Sequence, residues 1–235
     1  MFGGGAVTPV IKALLIVNTA VFFLQLFLPT EVLFLFGLVP ARIWHDFYFW
    51  QVFTYQFLHG GLFHLLFNML ALWMFGKDLE ATWGTRKFLQ YYFICGIGAG
   101  VCALLMSAIF GNGSERTIGA SGAIYGLLLA FGMMFPDATV LFSFLFPIKA
   151  KYFVMIIGAI SFMMTFGSTG DGVSHVAHLG GMIWGYLYLK TGLFCSDLFA
   201  PVERWYHQWK QQRARRKFQV YMRKQRGSDG GPTIH

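Results

Sequence analysis

Six long apolar stretches constrain the fold of this chain more than any other feature of its sequence. About 20 apolar residues are needed to cross a hydrocarbon core of roughly 30 Å, and a helix satisfies its backbone hydrogen bonds internally, as lipid requires. Charged residues make up 12% of the chain, where a soluble domain carries about a quarter. We therefore predict an all-α membrane protein with six transmembrane helices. The apolar segments cover residues 8–28, 57–75, 87–109, 120–135, 150–166 and 173–193.

The pattern indicates one membrane domain, residues 1–193, followed by a basic tail, residues 194–235. Between the first two segments, residues 29–56 carry two prolines and an aromatic run, Trp44 to Trp50. We expect this insert to be a long loop in the membrane interface, where aromatic rings are enriched. The first segment has no small-residue cleavage site, which argues against a removable signal peptide. The three cysteines are too few and too scattered for a disulfide framework.

The lysines and arginines predict the orientation of the segments. If both termini are cytoplasmic, all of the 18 basic residues except Arg42 and Arg116 fall on the cytoplasmic side. The second, fourth and sixth segments then run from the outside inwards. The nine basic residues of the tail contribute most of this bias, and we expect the tail to lie on anionic lipid as an amphipathic helix or to be an unstructured topology signal. Topology already explains this charge, so we expect no nucleic-acid partner.

Two residues with nucleophile and base chemistry lie near the outer ends of apolar segments. Ser121 follows Gly119 and Ala120, and His178 precedes Gly180 and Gly181. Ionisable and polar side chains within a membrane are costly and are functional hypotheses by default. Glycines on the faces of these segments permit the close approach that a serine–histidine hydrogen bond requires. The alternative for each residue is a structural role in helix packing or hydrogen bonding.

The length of the fourth segment predicts the depth of Ser121. Fifteen residues from Ser121 to Pro136 span about 22 Å as a helix, less than the hydrocarbon core. Ser121 is therefore expected below the outer surface, with residues 111–118 dipping inwards beside a wet cavity that is open to the outside.

A second pair, His64 and Asn68, lies four residues apart and so shares one helix face. Side-chain donors of these types can stabilise the oxyanion that develops in acyl transfer. A polar pair that joins helices is the alternative interpretation.

At these motifs the chain resembles the rhomboid family of intramembrane serine proteases, in its compact six-helix bacterial form. The resemblance covers roughly residues 8–193. It is carried by His59-Gly60-Gly61-Leu62-Phe63-His64 with Asn68, by Gly119-Ala120-Ser121-Gly122 with Tyr125, and by Ala177-His178-Leu179-Gly180-Gly181.

The resemblance implies a rhomboid-like bundle in a bacterial inner membrane that cleaves membrane proteins with a serine–histidine dyad. It implies Ser121 as the nucleophile and His178 as the base. It assigns the oxyanion site to His64, Asn68, Gly119 and the Ser121 N–H, and packing or supporting roles to Tyr125, Gly181, Gly185 and Glu80. The expected substrates are transmembrane segments with helix-destabilising residues near their outer boundary. The expected gate is the fifth segment with the following loop, residues 166–172.

One residue departs from the family pattern, and other features allow competing interpretations. Gln51 follows Trp50 where the family usually carries Trp-Arg. His175, three residues before His178, is the rival base. Inactive relatives that bind and route membrane proteins keep the fold without the dyad. A metal or haem protein would use His59, His64, His175 and His178, but the sequence has no HExxH motif and no acidic ligand beside them, so we predict neither metal nor cofactor.

Overall fold

The computed structural model describes residues 7–110, 116–142, 146–167, 175–191 and Arg213. Over these residues the chain forms nine α-helices, one 3-10 turn and one β-hairpin. The elements are α1 (Pro9–Gln25), α2 (Thr30–Phe36), α3 (Pro40–Asp46), α4 (Gln51–Thr54) with the 3-10 turn Tyr55–Phe57, α5 (Leu62–Trp83), α6 (Thr85–Phe110), α7 (Ser121–Met134), β1 (Thr139–Phe142), β2 (Phe146–Lys149), α8 (Ala150–Gly167) and α9 (His175–Thr191).

Each of the six apolar segments overlaps one long helix, namely α1, α5, α6, α7, α8 and α9. Among the described residues, Thr85–Ile109 is the one single helix that is long and apolar enough to cross a membrane. Gln51–Phe57 and Leu62–Trp83 would pass the same test as a pair, but they meet at 95°. The helices α1, α7 and α8 are apolar but shorter. The count of six spans therefore stays a prediction.

The core of the bundle is formed by α6, α7 and α9, which pack extensively against one another. Helix α5 packs on α1 and α7, and α8 packs on α7 and α9. The helices that begin with Ser121 and His175 are therefore both central.

The second helix differs from the predicted segment, residues 57–75. The chain turns through a loop after Phe57, and α5 begins only at Leu62. The loop contains Gly60 and Gly61, which favour a break because glycine loses the most conformational freedom in a helix. At its other end the helix continues to Trp83 and stops at Gly84, whose φ of 79° favours glycine.

The all-helical prediction missed a short antiparallel hairpin between α7 and α8. Strands β1 and β2 pair from Thr139 opposite Lys149 to Phe142 opposite Phe146. Asp137 lies 3.0 Å from Lys149 Nζ and 3.1 Å from Lys151 Nζ. Hydrogen bonds from these two ammonium groups hold the pKa of the Asp137 carboxyl below its usual range. The pairs are exposed, so they orient this turn more than they stabilise the fold.

The insert, residues 29–56, is a chain of short helices that is anchored by side-chain hydrogen bonds. The Gln51 amide is fully buried, accepts the Val39 N–H at 3.0 Å and donates to the Phe34 carbonyl at 2.8 Å. The Trp50 indole donates to the Leu35 carbonyl at 2.8 Å. A neutral amide thus satisfies one backbone group of α2 and one of Val39, the residue before α3. The resemblance leads one to expect an arginine at position 51. The location of the insert in the membrane interface stays a prediction.

Glu80 holds the start of α1 against the end of α5. Its buried carboxylate accepts hydrogen bonds from the Thr8 hydroxyl and from the N–H groups of Val10, at 3.2 Å, and Ile11, at 3.1 Å. Thr85 Oγ1 donates to the same carboxylate at 3.1 Å. A carboxylate stabilises the positive N-terminal end of a helix, so Glu80 acts as a cap supplied by another helix.

Candidate active site

Ser121 and His178 meet across the two central helices. Ser121 is the first residue of α7, and His178 lies in the first turn of α9. Ser121 Oγ is 2.9 Å from His178 Nε2, within hydrogen-bonding distance. This is the geometry in which a histidine can take the proton of a serine hydroxyl.

The His178 ring is held by stacking rather than by an acidic partner. The Tyr125 ring, one turn after Ser121 on α7, stacks on it with centroids 4.1 Å apart and an interplanar angle of 9°. Among the described residues, His178 Nδ1 is buried without a hydrogen-bond partner. If Nε2 accepts the Ser121 proton, neutral His178 carries its own proton on Nδ1. The described residues thus contain a serine–histidine pair in hydrogen-bonding distance without a third, acidic member.

The two helices approach closely enough for this contact because glycines face each other. A Cβ added to Gly181 would lie 1.9 Å from the Gly122 carbonyl oxygen, a distance no side chain tolerates. Gly185 lies one turn further along α9 and packs mainly against α6, where an added Cβ would meet the Tyr91 hydroxyl at 2.4 Å. Gly181 therefore sets the distance between α7 and α9, while Gly185 sets the distance to α6.

His64 is oriented by the loop that precedes its own helix. The Gly60 N–H donates to His64 Nδ1 at 3.2 Å. Since Nδ1 accepts, the proton of the neutral ring lies on Nε2, which becomes a donor. This nitrogen lies beside Gly119, because a Cβ placed there would be 2.8 Å from both His64 Nε2 and Cε1.

Asn68 brings a second donor to the same place. Its Nδ2 lies 3.8 Å from the position that a Gly119 Cβ would take, and among the described residues it is buried without a partner. Buried amide donors are nearly always satisfied, so one left open next to a serine points to a group that arrives later.

Gly119 has a different role in the candidate site from the oxyanion role that the resemblance implies. Its φ of 119° favours glycine, and its N–H donates to the Tyr55 carbonyl at 2.9 Å. This N–H is therefore occupied and is not an available oxyanion donor in this arrangement. Gly119 instead leaves the space next to His64 empty. The Ser121 N–H lies in the first turn of α7, where helix N–H groups have no partner within their own helix.

Tyr55 is a residue of the site that sequence reasoning missed. It is buried, its hydroxyl donates to the Gly96 carbonyl at 2.6 Å, and its carbonyl holds Gly119. It joins α6 to the loop that precedes Ser121. Its partners are 41 and 64 positions away, so no local motif marks it.

The other histidines are close but not part of the dyad. The His175 ring meets that of His178 edge to face at 5.7 Å, and the His59 ring meets that of His64 at 5.2 Å. No group of three potential metal ligands is found among the described residues. Residues 111–115, most of the expected gate loop and the tail apart from Arg213 lie outside the described residues.

The chain is similar to known proteins over a large part of its length. Residues 46–193 match the family model of the Rhomboid domain. Rhomboid protease GluP of Bacillus subtilis (strain 168) is 31% identical over 179 residues, which are 74% of this chain and 33% of that protein. Rhomboid protein 1, mitochondrial, of Saccharomyces cerevisiae is 33% identical over 142 residues, 56% of this chain and 38% of that protein.

A shorter relative is matched over most of its length. Putative rhomboid protease YdcA of Bacillus subtilis is 30% identical over 173 residues, 66% of this chain and 80% of that protein. The chain thus spans about a third of the length of the first two relatives and four fifths of this one. The matched domain covers more than half of the chain and confirms the resemblance read from its motifs. The chain belongs to the rhomboid family of integral membrane proteins.

Proposed function

We propose that this protein is an intramembrane serine endopeptidase that cleaves transmembrane segments of other membrane proteins. The observation that carries the proposal is the 2.9 Å contact between Ser121 Oγ and His178 Nε2 across two packed helices. Several relatives carry the name of a rhomboid protease, and this supports peptide-bond hydrolysis as the reaction class.

In the proposed mechanism, Ser121 Oγ attacks the carbonyl carbon of the scissile peptide while His178 Nε2 takes the hydroxyl proton. The tetrahedral intermediate collapses as the C–N bond breaks, and His178 gives its proton to the leaving amine. A water molecule then attacks the acyl-enzyme while His178 takes its proton. The second intermediate collapses as the bond between Ser121 Oγ and the acyl carbon breaks, and His178 returns the proton to Oγ.

Charge develops on the substrate oxygen during each attack, and three donors lie near Ser121 to meet it. These are His64 Nε2–H, Asn68 Nδ2–H and the Ser121 N–H at the positive end of α7. Such donors stabilise a transition state most when they are positioned beforehand. His64 is fixed by Gly60, and Asn68 Nδ2 has no partner within the described part of the chain, so both donors are ready without rearrangement.

We place the six long helices in the membrane with both termini on the cytoplasmic side, which puts Ser121 in the outer half of the bilayer. A peptide bond within a substrate helix is shielded by its own hydrogen bonds. Substrates should therefore carry Gly, Ala, Ser or Pro near their outer boundary, so that the segment unwinds into the site. A bacterial inner membrane is the proposed location.

Reconstituted protein and a single-span substrate with a Gly-Ala pair near its outer boundary test this function. We expect two products, with the cut mapped by mass spectrometry to the outer part of the span. Ser121→Ala and His178→Ala should each abolish cleavage, and His175→Ala should retain most of it. Cleavage at the cytoplasmic boundary would contradict the orientation, and unchanged cleavage by Ser121→Ala would contradict the mechanism.

A further inference from the structure

A cavity whose wall contains neither Ser121 nor His178 is lined by apolar side chains. It has a volume of about 310 Å³ and lies between α1, α2 and the 3-10 turn, with Val17, Val21, Val32 and Phe57 in its wall. Gln25 and Thr54 are the polar residues that line it. Apolar cavities of this kind stay dry and accept apolar ligands, and this volume is at the lower end of the usual range for ligand sites.

A smaller polar compartment adjoins this cavity. It has a volume of about 100 Å³ and shares Gln25, Leu33 and Leu58 with its apolar neighbour. At its other side lie His59 and Arg116. Gln25 separates the two spaces and is fixed, since its amide accepts the His59 N–H and donates to the His59 carbonyl.

The polar compartment contains donors that lack partners. His59 is fully buried with the Phe57 backbone close by, but among the described residues neither of its ring nitrogens makes a hydrogen bond of normal geometry. Arg116 Nη1 is also buried and unpaired there. Burying a charged or polar group without a partner is costly, so these groups indicate a missing acceptor.

Arg116 is held in place for such an acceptor. Its side-chain carbons pack on Gly37, where an added Cβ would lie 2.8 Å from Cδ, and its guanidinium lies over the Phe34 ring at 4.8 Å. Thr117, the next residue, pairs with Leu38 through two backbone hydrogen bonds. Among the described residues that line either space, no acidic side chain is present.

We propose that this composite cavity binds an anionic phospholipid, with one acyl chain in the apolar part and the phosphate at Arg116 and His59. The apolar walls, the absence of acid and the unpaired donors match the two ends of such a molecule. The polar compartment is also lined by Gly60, whose N–H donates to His64, so the proposed lipid site borders the candidate active site without including Ser121 or His178.

Photo-crosslinking tests the proposal directly. Full-length protein is reconstituted in phosphatidylcholine vesicles that contain a small fraction of phosphatidylglycerol with a photoreactive acyl chain, and crosslinks are mapped by mass spectrometry. We expect crosslinks on the α1 and α2 peptides that contain Val21 and Val32. A phosphatidylcholine probe with the same chain should label them about tenfold less, because its choline cation would lie near Arg116 with no acidic side chain among the described lining residues.

Two variants separate the parts of the site. Val21→Trp fills the apolar cavity and should abolish this labelling, while Met163→Trp, at an exposed position of α8, should not change it. Arg116→Gln should lower labelling by the anionic probe about tenfold, to near the level of the phosphatidylcholine probe, with the exposed Arg42→Gln as control. The arginine variants keep the test valid if the cavity-filling variant does not fold.

Three results would overturn the proposal. Equal labelling by both probes would mean that any lipid chain enters and that the head group is not recognised. Labelling that resists Val21→Trp would place the probe on the outer surface of the bundle. Labelling by the anionic probe that Arg116→Gln leaves unchanged would mean that the lipid phosphate does not lie at Arg116.

Discussion

The carbonyl of Tyr55 accepts a hydrogen bond from the N–H of Gly119 at 2.9 Å, and this contact fixes the chain two residues before Ser121. It gives Gly119 a geometric role instead of a donor role. The open space next to His64 and Asn68 exists because residue 119 has no side chain.

The first prediction concerns Gly119. Gly119→Ala places a methyl group 2.8 Å from His64 Nε2 at a φ of 119°, so it should block the proposed oxyanion position and strain the backbone. We expect turnover to fall by about 10²-fold or more, the effect of losing one oxyanion donor. Gly61→Ala is the control, because its φ is extended and an added Cβ meets nothing within 4 Å. Equal activity of both variants in a steady-state cleavage assay would rule out this role.

The stacking of Tyr125 on His178 leads to the second prediction. Tyr125→Leu removes the ring that holds the imidazole, and an aromatic pair contributes about 0.5–1.5 kcal/mol, so turnover should fall up to about tenfold. Tyr125→Phe keeps the ring and should retain most activity. The change should appear in kcat and not in KM, since the ring orients the base. If Tyr125→Phe and Tyr125→Leu have the same kcat, stacking does not position His178.

Gln51 gives a prediction about stability. Gln51→Ala leaves the Val39 N–H and the Phe34 carbonyl without their buried partner, and each such group costs about 1–3 kcal/mol. The free energy of unfolding should fall by a similar amount, measured by denaturant titration in detergent. Gln90→Ala, on a partly buried glutamine of α6, is the matched control. A stability equal to that of the control would show that the amide does not anchor the insert.

The sequence predicted the helices and the residues of the site better than it predicted what supports them. Ser121, His178, His64 and Asn68 lie in short local motifs on apolar segments, so periodicity and glycine spacing were enough to place them on helix faces. Tyr55 and Gln51 act through backbone groups of distant residues, and no local pattern records such partners. The hairpin before α8 was missed because four-residue strands between apolar helices give too little alternation to detect.

Three glycines show the same limit of prediction from the sequence, namely that distant partners are not visible in it. Gly181 could be placed between helices four residues from Gly185, and it faces α7 as expected. The sequence could not show that Gly185 instead packs on Tyr91, because one helix face contacts two neighbours. The resemblance implies an oxyanion role for Gly119, but its N–H is bonded to a residue far away in the sequence. Its partner, Tyr55, becomes visible only in the folded chain.

The most direct test of the account is site-resolved labelling with a fluorophosphonate, which reacts with a serine only when a base activates it. The wild-type protein should form one covalent adduct, mapped by mass spectrometry to Ser121. The adduct should be absent in Ser121→Ala and strongly reduced in His178→Ala, while His175→Ala should label at nearly the wild-type rate. An adduct on another residue, or labelling of Ser121 at an unchanged rate without His178, would contradict the Ser121–His178 dyad.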